Sequence, residues 1–253
     1  MLRVAFFNIW FYAALVLYSA VVIPLFALAV TGVRLFSTRR RALRVFRRCI
    51  SLYGRGIVSG LARPGMRVRY RDFSSGRERP PFVYACNHRS ASDPFLLCFL
   101  PGEGVQVVNK WPFRLPVWGA LARLAGYLNV RAMPVESFKA AVGRLLEQGT
   151  SVAAFPEGTR SASRRLGPFH GALFRACLEH GPDIVPLCIM GNEDKPRKGS
   201  LWLQPGEIQV HRLPGLCYDD YKHMKPFALK NHVRGLLQAH CARWEGTAHE
   251  DSE

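Results

Sequence analysis

Before Asp72 the chain has no acidic residue and no lysine. Every cation in that stretch is an arginine: Arg3, Arg34, Arg39, Arg40, Arg41, Arg44, Arg47, Arg48, Arg55, Arg63, Arg67, Arg69 and Arg71. The net charge of +17, from 35 basic and 18 acidic residues, is therefore unevenly placed. Paired metal-ligand or redox cysteines are also missing. The seven cysteines are odd in number and contain no Cys-x-x-Cys, so they read as buried thiols of a reducing compartment. The eight histidines are scattered without ligand spacing, which removes a zinc site from consideration. A Gly-rich phosphate loop and a Gly-x-Ser-x-Gly elbow are absent, so nucleotide-binding and serine-hydrolase templates do not apply. Internal repeats and low-complexity segments are absent too.

One long apolar run is present. Val4 to Val33 holds no charge. As a single helix it would be roughly 45 Å long, against a hydrocarbon core of about 30 Å. Either its ends reach the headgroups or Pro24 divides it, so a spanning helix and a re-entrant hairpin are both expected solutions. Ala27-Leu28-Ala29 resembles a signal cleavage site, but the run is too long for a typical signal. One arginine before the run against the cluster after it places the C-terminal bulk in the cytoplasm, at a cytoplasmic (inner) membrane.

From Arg34 to Leu61, Leu35, Phe36, Leu43, Phe46, Cys49, Ile50 and Tyr53 recur at near-helical spacing among the arginines. A basic amphipathic helix suits an anionic leaflet. A solvated helix face and a nucleic-acid surface are the other readings. The adjoining apolar run favours membrane lipids as partners and no nucleic acid.

From Met66 onward short apolar runs alternate with helix-length segments. The expected strands are Arg67–Tyr70, Pro81–Cys86, Val105–Asn109, Tyr127–Val130, Val152–Phe155, Ile184–Met190, Leu201–Gln204 and Ile208–His211. The expected helices are Pro94–Leu100, Leu115–Ala125, Val135–Glu147, His170–His180 and Phe227–Trp244. The alternation predicts an α/β fold with a mixed, largely parallel sheet flanked by helices. The organisation expected is a membrane-anchoring segment over 1–61, a globular domain over 62–245 and a polar tail over 246–253.

Two stretches carry chemistry. Asn87-His88-Arg89-Ser90-Ala91-Ser92-Asp93-Pro94 sits between an apolar strand and an apolar helix, where catalytic side chains are often placed. Positions five apart on a continuous helix lie about 140° apart, so His88 and Asp93 cannot meet on one. Pro94 suits the first helical position with Asp93 as N-cap, and the serines can then turn His88 back toward Asp93. An Asp accepting from one imidazole nitrogen leaves the other as a base. A capping Asp beside an incidental loop His satisfies the same spacing.

The second stretch is Phe155-Pro156-Glu157-Gly158-Thr159-Arg160-Ser161. Pro followed by Gly two residues later is turn chemistry. The Glu, the Arg and two hydroxyls are more than a turn needs, and they suit a phosphate. Arg131 ends a strand, Lys110 follows one, and Val185–Pro186 puts a proline in a strand, which belongs at an edge or a bulge.

In this order the pieces resemble the glycerolipid acyltransferases of the 1-acylglycerol-3-phosphate (lysophosphatidic acid) type, over roughly residues 83–189. The resemblance rests on His88–Asp93, Arg131, Phe155–Ser161 and Val185–Pro186. The family often has Phe-Ile-Asp-Arg where this chain has Leu128-Asn129-Val130-Arg131, so only Arg131 carries over. The resemblance implies an O-acyltransferase in which His88 is general base on the sn-2 hydroxyl of lysophosphatidic acid and Asp93 orients it. Arg131, Glu157, Gly158, Thr159 and Arg160 then form the phosphate side, with Glu157 orienting Arg160 or another cation. Lys110 or a backbone amide near Gly158 stabilises the oxyanion. Acyl-CoA or an acyl-carrier protein is the donor, and no cofactor and no metal are expected. Other acceptors stay open: a lyso-aminolipid such as lyso-ornithine lipid, glycerol phosphate or another lysophospholipid. A non-enzymatic membrane-surface binding protein is the competing class.

Overall fold

A computed structural model of the chain describes residues 1–109, 113, 116–161 and 165–250. Contacts divide it into two compact units. The first comprises Met1–Arg69, Ser90–Glu103 and Gly191–Ile208; the second comprises Tyr70–Arg89, Gly104–Met190 and Gln209–Glu253.

In the first unit the apolar run forms one helix, α1, Leu2–Phe36. A proline removes one ladder bond, yet Pro24 lies inside α1 and the helix continues past it, so the run is not divided there. At about 1.5 Å per residue its 35 residues span about 52 Å, and the helix is long and apolar enough to cross a membrane.

The next helix, α2, is Arg39–Gly56, and Thr38 caps it by accepting from the Arg41 amide at 3.3 Å. The expected basic amphipathic segment is thus split. Leu35 and Phe36 close α1 and are exposed. The buried side of α2 meets protein: Tyr53 stacks on Tyr18 with ring centroids 5.3 Å apart, and its hydroxyl lies 2.7 Å from Ser19 Oγ. A Cβ at Gly54 would come within 2.9 Å of Cys98 Cβ, so only glycine permits this approach. Arg47, buried, and Arg44 both reach Glu103, at 2.5 and 3.3 Å. Two of the arginines expected at a lipid surface are therefore paired within the unit. A π-helical turn, Ile57–Leu61, ends this region.

Among the described residues the sheet has seven strands: β1 (Met66–Asp72), β2 (Phe82–Cys86), β3 (Gly104–Val108), β4 (Leu128–Asn129), β5 (Ser151–Ala154), β6 (Asp183–Met190) and β7 (Gly206–Arg212), in the order β1-β7-β6-β2-β5-β3-β4. β2 pairs in parallel with β5 and β6, β3 in parallel with β4 and β5, and β6 antiparallel with β7. The largely parallel α/β expectation holds.

The other helices are α3 (Asp93–Leu96), α4 (Pro116–Leu124), α5 (Val135–Glu147), α6 (Ala172–His180), α7 (Tyr218–Tyr221) and α8 (Pro226–Glu250). A 3-10 turn, Leu97–Phe99, extends α3. In the second unit Val83, Val105, Val152 and Ile184 of the sheet pack with Phe138 and Val142 of α5, Phe174 of α6 and Leu237 of α8. Full burial of such side chains stabilises by roughly 1.5–3 kcal/mol each.

Two expectations need correction, and of the two places expected for Pro186 only the bulge holds. Pro186 is not at a sheet edge, because β6 lies between β7 and β2. The β6–β7 register moves by one residue between the Leu187–Arg212 pair and the Ile184–Leu216 bridge, and Pro186 faces that bulge, whose extra residue lies within 213–215. Leu201–Gln204 is not a strand: its backbone is held by side chains of α1 instead of by a neighbouring strand. The cysteines are not all thiols, since α8 packs on β6 and joins Cys188 to Cys241 as a disulfide. Cys49, Cys86, Cys98, Cys177 and Cys217 are not disulfide-bonded.

Candidate active site

Parallel strands present their carboxyl ends on one side, where open α/β sheets hold ligands. β2 runs into Asn87-His88 and its neighbour β5 into Phe155–Ser161. Ala85 is in register with Ala154, and His88 and Glu157 each follow three residues later. The two loops are consequently level. Glu157, buried, accepts from the His88 amide at 2.8 Å with Oε1 and from the Gly167 amide at 2.8 Å with Oε2. Ser161 Oγ lies 3.2 Å from Oε2, and the Ser161 amide donates to His88 O at 2.8 Å. The His88 ring lies against Phe155 with centroids 4.5 Å apart.

Among the described residues the donors to Glu157 are the neutral His88 and Gly167 amides and the Ser161 hydroxyl, in place of the expected Arg160 or other cation. A carboxylate has several acceptor sites, and here they tie three backbone segments together. Gly158 adopts φ +67°, and its amide donates to Phe155 O at 3.0 Å. A Cβ there would meet the His170 ring at 2.9 Å, so the turn requires glycine on two counts. Thr159 is exposed and Arg160 half-buried beside it.

Asn87 anchors the β2 end. Fully buried, it donates to Ile189 O at 2.7 Å and accepts from the Ile189 amide at 2.6 Å. Arg89, also buried, pairs with Glu245 of α8 at 2.6 Å. Arg131 is exposed in the turn two residues beyond β4, with β5 and β3 between that strand and β2. It is a strand-end arginine, as expected, but at the sheet edge. Lys110 lies outside the described residues.

Asp93 belongs to the first unit and is fully buried. Ser92 is the N-cap residue and Asp93 the first residue of α3, so the expected capping role does not hold. The carboxylate is held otherwise: the Ser90 amide donates to Oδ2 at 2.8 Å, and Asn192 Nδ2 donates to Oδ1 at 2.5 Å. Asn192 also donates to Ser92 Oγ at 3.1 Å, and that hydroxyl donates to Lys195 O at 2.5 Å. Ser90 Oγ donates to Pro196 O at 2.9 Å. Both serines of the motif thus lock its turn onto residues 192–196.

Sequence reasoning missed Asn192, Asn87 and Arg89. Asn87 and Arg89 lay inside the motif and had no visible partners. Asn192 follows a strand after glycine, and only that position hinted at it. Among the described residues no cluster of three or more His, Cys, Asp or Glu is placed to hold a metal.

Residues 67–190 match the sequence profile of a family described as Acyltransferase. A 1-acyl-sn-glycerol-3-phosphate acyltransferase of Cocos nucifera is 32% identical over 68% of this chain and 56% of its own length. One of Salmonella typhimurium is 28% identical over 69% of this chain and 72% of its own. The chain spans between about half and two thirds of the length of the plant relatives it matches. The crystal structure of a 1-acyl-sn-glycerophosphate acyltransferase from Thermotoga maritima superposes with a TM-score of 0.77 at 16% identity, covering 96% of this chain and 97% of that one. It shares the fold.

Proposed function

We propose, from the match of residues 67–190 to the acyltransferase profile, that the chain belongs to that family and transfers a fatty acyl group from an acyl thioester to the sn-2 hydroxyl of lysophosphatidic acid, giving phosphatidic acid. The observation that carries the reading is the paired loop ends of β2 and β5, where Glu157 holds the backbone of His88.

In this reading His88 takes the proton of the acceptor hydroxyl as its oxygen attacks the thioester carbonyl. The tetrahedral intermediate collapses, the C–S bond breaks and the thiolate leaves, taking up a proton. General-base help contributes about 10²–10⁴-fold; positioning and oxyanion stabilisation supply the rest. Asp93 orients the imidazole, and Asn192 and Ser90 orient Asp93. Thr159, Arg160 and Arg131 take the acceptor phosphate, with Gly158 shaping the loop that carries the first two. The Gly158 amide already closes a turn on Phe155, which leaves Lys110 or another amide of that loop for the oxyanion. The donor is acyl-CoA or an acyl-carrier protein, and no resident cofactor takes part.

An apolar N-terminal helix is consistent with membrane association. We place the catalytic part on the cytoplasmic face, whose anionic leaflet suits the arginines that crowd the C-terminal end of α1 and the helix that follows. Anionic lipids attract these arginines.

An acceptor panel tests the specificity. Purified enzyme is offered labelled long-chain acyl-CoA with lysophosphatidic acid, lyso-ornithine lipid, glycerol phosphate or lysophosphatidylcholine. The expected result is label in phosphatidic acid in preference to every other product. Preferential transfer to an aminolipid would overturn the acceptor assignment and trace to Leu128-Asn129-Val130, which departs from the family's pattern.

A further inference from the structure

In the first unit, the segment Ser200–Leu203 is fastened to the first third of α1. Asn8, one of few polar residues in the apolar helix and itself buried, donates to Leu203 O at 2.9 Å and accepts from the Leu203 amide at 2.8 Å. Tyr12 donates its hydroxyl to Leu201 O. The Trp202 amide is taken by Ser200 Oγ at 2.9 Å, the Gln204 amide by Asp194 O at 3.1 Å and the Ser200 amide by Arg197 O at 3.0 Å. These polar groups of an irregular segment are satisfied without water. The side chains that remain outward are apolar: Leu201 is 77% exposed and Trp202 46%. With Ile9, Asn8 and Tyr12 they line an open cleft of about 530 Å³. Arg197 and Lys198, both exposed, lie a few residues before the tip.

We infer that the Leu201–Trp202 tip is a second membrane contact, inserting into the interface of an anionic leaflet beside α1. Four features point to lipid. Irregular backbone is tolerated at membrane depth only when its polar groups are satisfied internally, and Asn8 and Tyr12 satisfy three of them, Leu201 O, Leu203 O and the Leu203 amide. A polar residue in a membrane helix is costly unless paired, and the clasp explains Asn8. Tryptophan favours the headgroup boundary. Arg197 and Lys198 match the phosphates of an anionic surface. The contact continues the apolar surface of α1, so the inference rests on the membrane reading of that helix.

Quenching by brominated lipids tests it on the full chain in phosphatidylglycerol-containing vesicles, with bromines at three acyl depths. The Trp202 emission is the difference between the protein and Trp202→Phe. The α1 emission is the difference between the protein and Trp10→Phe. The inference expects the Trp202 signal to fall by at least half, most strongly with the bromines nearest the headgroups, and the Trp10 signal to be quenched as well. Quenching of Trp10 with none of Trp202 overturns the inference and leaves the anchor reading of α1 standing; a second copy of the chain covering the tip gives this result. Quenching of neither overturns both.

Discussion

Asn192 Nδ2 donates to Asp93 Oδ1 at 2.5 Å, and both residues are wholly buried. A carboxylate in that position needs fixed donors, because desolvation penalises its charge. The second oxygen is held by the Ser90 amide, so the carboxylate's orientation is set before any substrate arrives.

Asn192→Leu keeps the branching of the side chain and removes the donor. It removes the Asn192 hydrogen bonds to Asp93 Oδ1 and Ser92 Oγ, and we expect a loss of about 1–3 kcal/mol in unfolding free energy. Because Asp93 orients the base in the proposed mechanism, kcat is expected to fall while the acceptor KM holds. Thermal unfolding and steady-state kinetics check the two effects. A stable variant with unchanged kcat would remove Asn192 from the mechanism.

Glu157→Gln replaces one acceptor oxygen by a donor. Its amide would face the backbone N–H of either His88 or Gly167, since Glu157 accepts from both. The expected outcome is a stability loss on the order of 1–3 kcal/mol and a lower kcat, because the His88 backbone loses its tether. A rise in acceptor KM alone would instead favour direct work on the phosphate side.

Gly158→Ala meets two obstacles, a positive φ and a His170 ring 2.9 Å from the new methyl. We expect about 1–3 kcal/mol of destabilisation from the backbone alone and a displaced phosphate loop. Chemical denaturation together with acceptor KM measures both, and an unperturbed variant would show that the loop relaxes freely.

His211 on β7 lies fully buried, with Nδ1 2.8 Å from His240 Nε2 on α8. Burial, then His240, then Arg71 push its pKa down to about 4. The folded protein therefore resists a proton that the unfolded chain accepts below about 6.5. Stability from the neutral ring is complete above that value and falls between about 6.5 and about 4, by on the order of 3 kcal/mol in all. His211→Gln removes the titrating group, so its unfolding free energy should decline less over that interval. Parallel pH slopes in the two proteins would contradict the assignment.

How legible these features were depended on how far each residue's partner lies along the chain. The helix Val135–Glu147 was readable to the residue, because its signals are local: apolar periodicity and Pro134 before it. The His88 and Glu157 loops were readable because parallel strands align their ends whatever the strand order. Asn192 was not, since its hydrogen bond to Asp93 spans 99 positions. Leu201–Leu203 looked like a strand by composition. Its partners are Asn8 and Tyr12, about 190 residues earlier, and no local pattern announces side chains standing in for a neighbouring strand. Arg47 counted as surface charge until α2 brought it to Glu103. The arginine run shows how many cations there are, but not which are already neutralised.

The central claim is that His88 is the base for acyl transfer to lysophosphatidic acid. The most direct measurement offers this acceptor and labelled acyl-CoA, and in parallel acyl-carrier protein, to detergent-solubilised protein and to His88→Ala. The account predicts labelled phosphatidic acid from the protein and a loss of about 10²–10⁴-fold in the variant, with the variant still folded. Undiminished transfer by a folded His88→Ala would contradict the mechanism and leave the β2–β5 loop pair a structural feature.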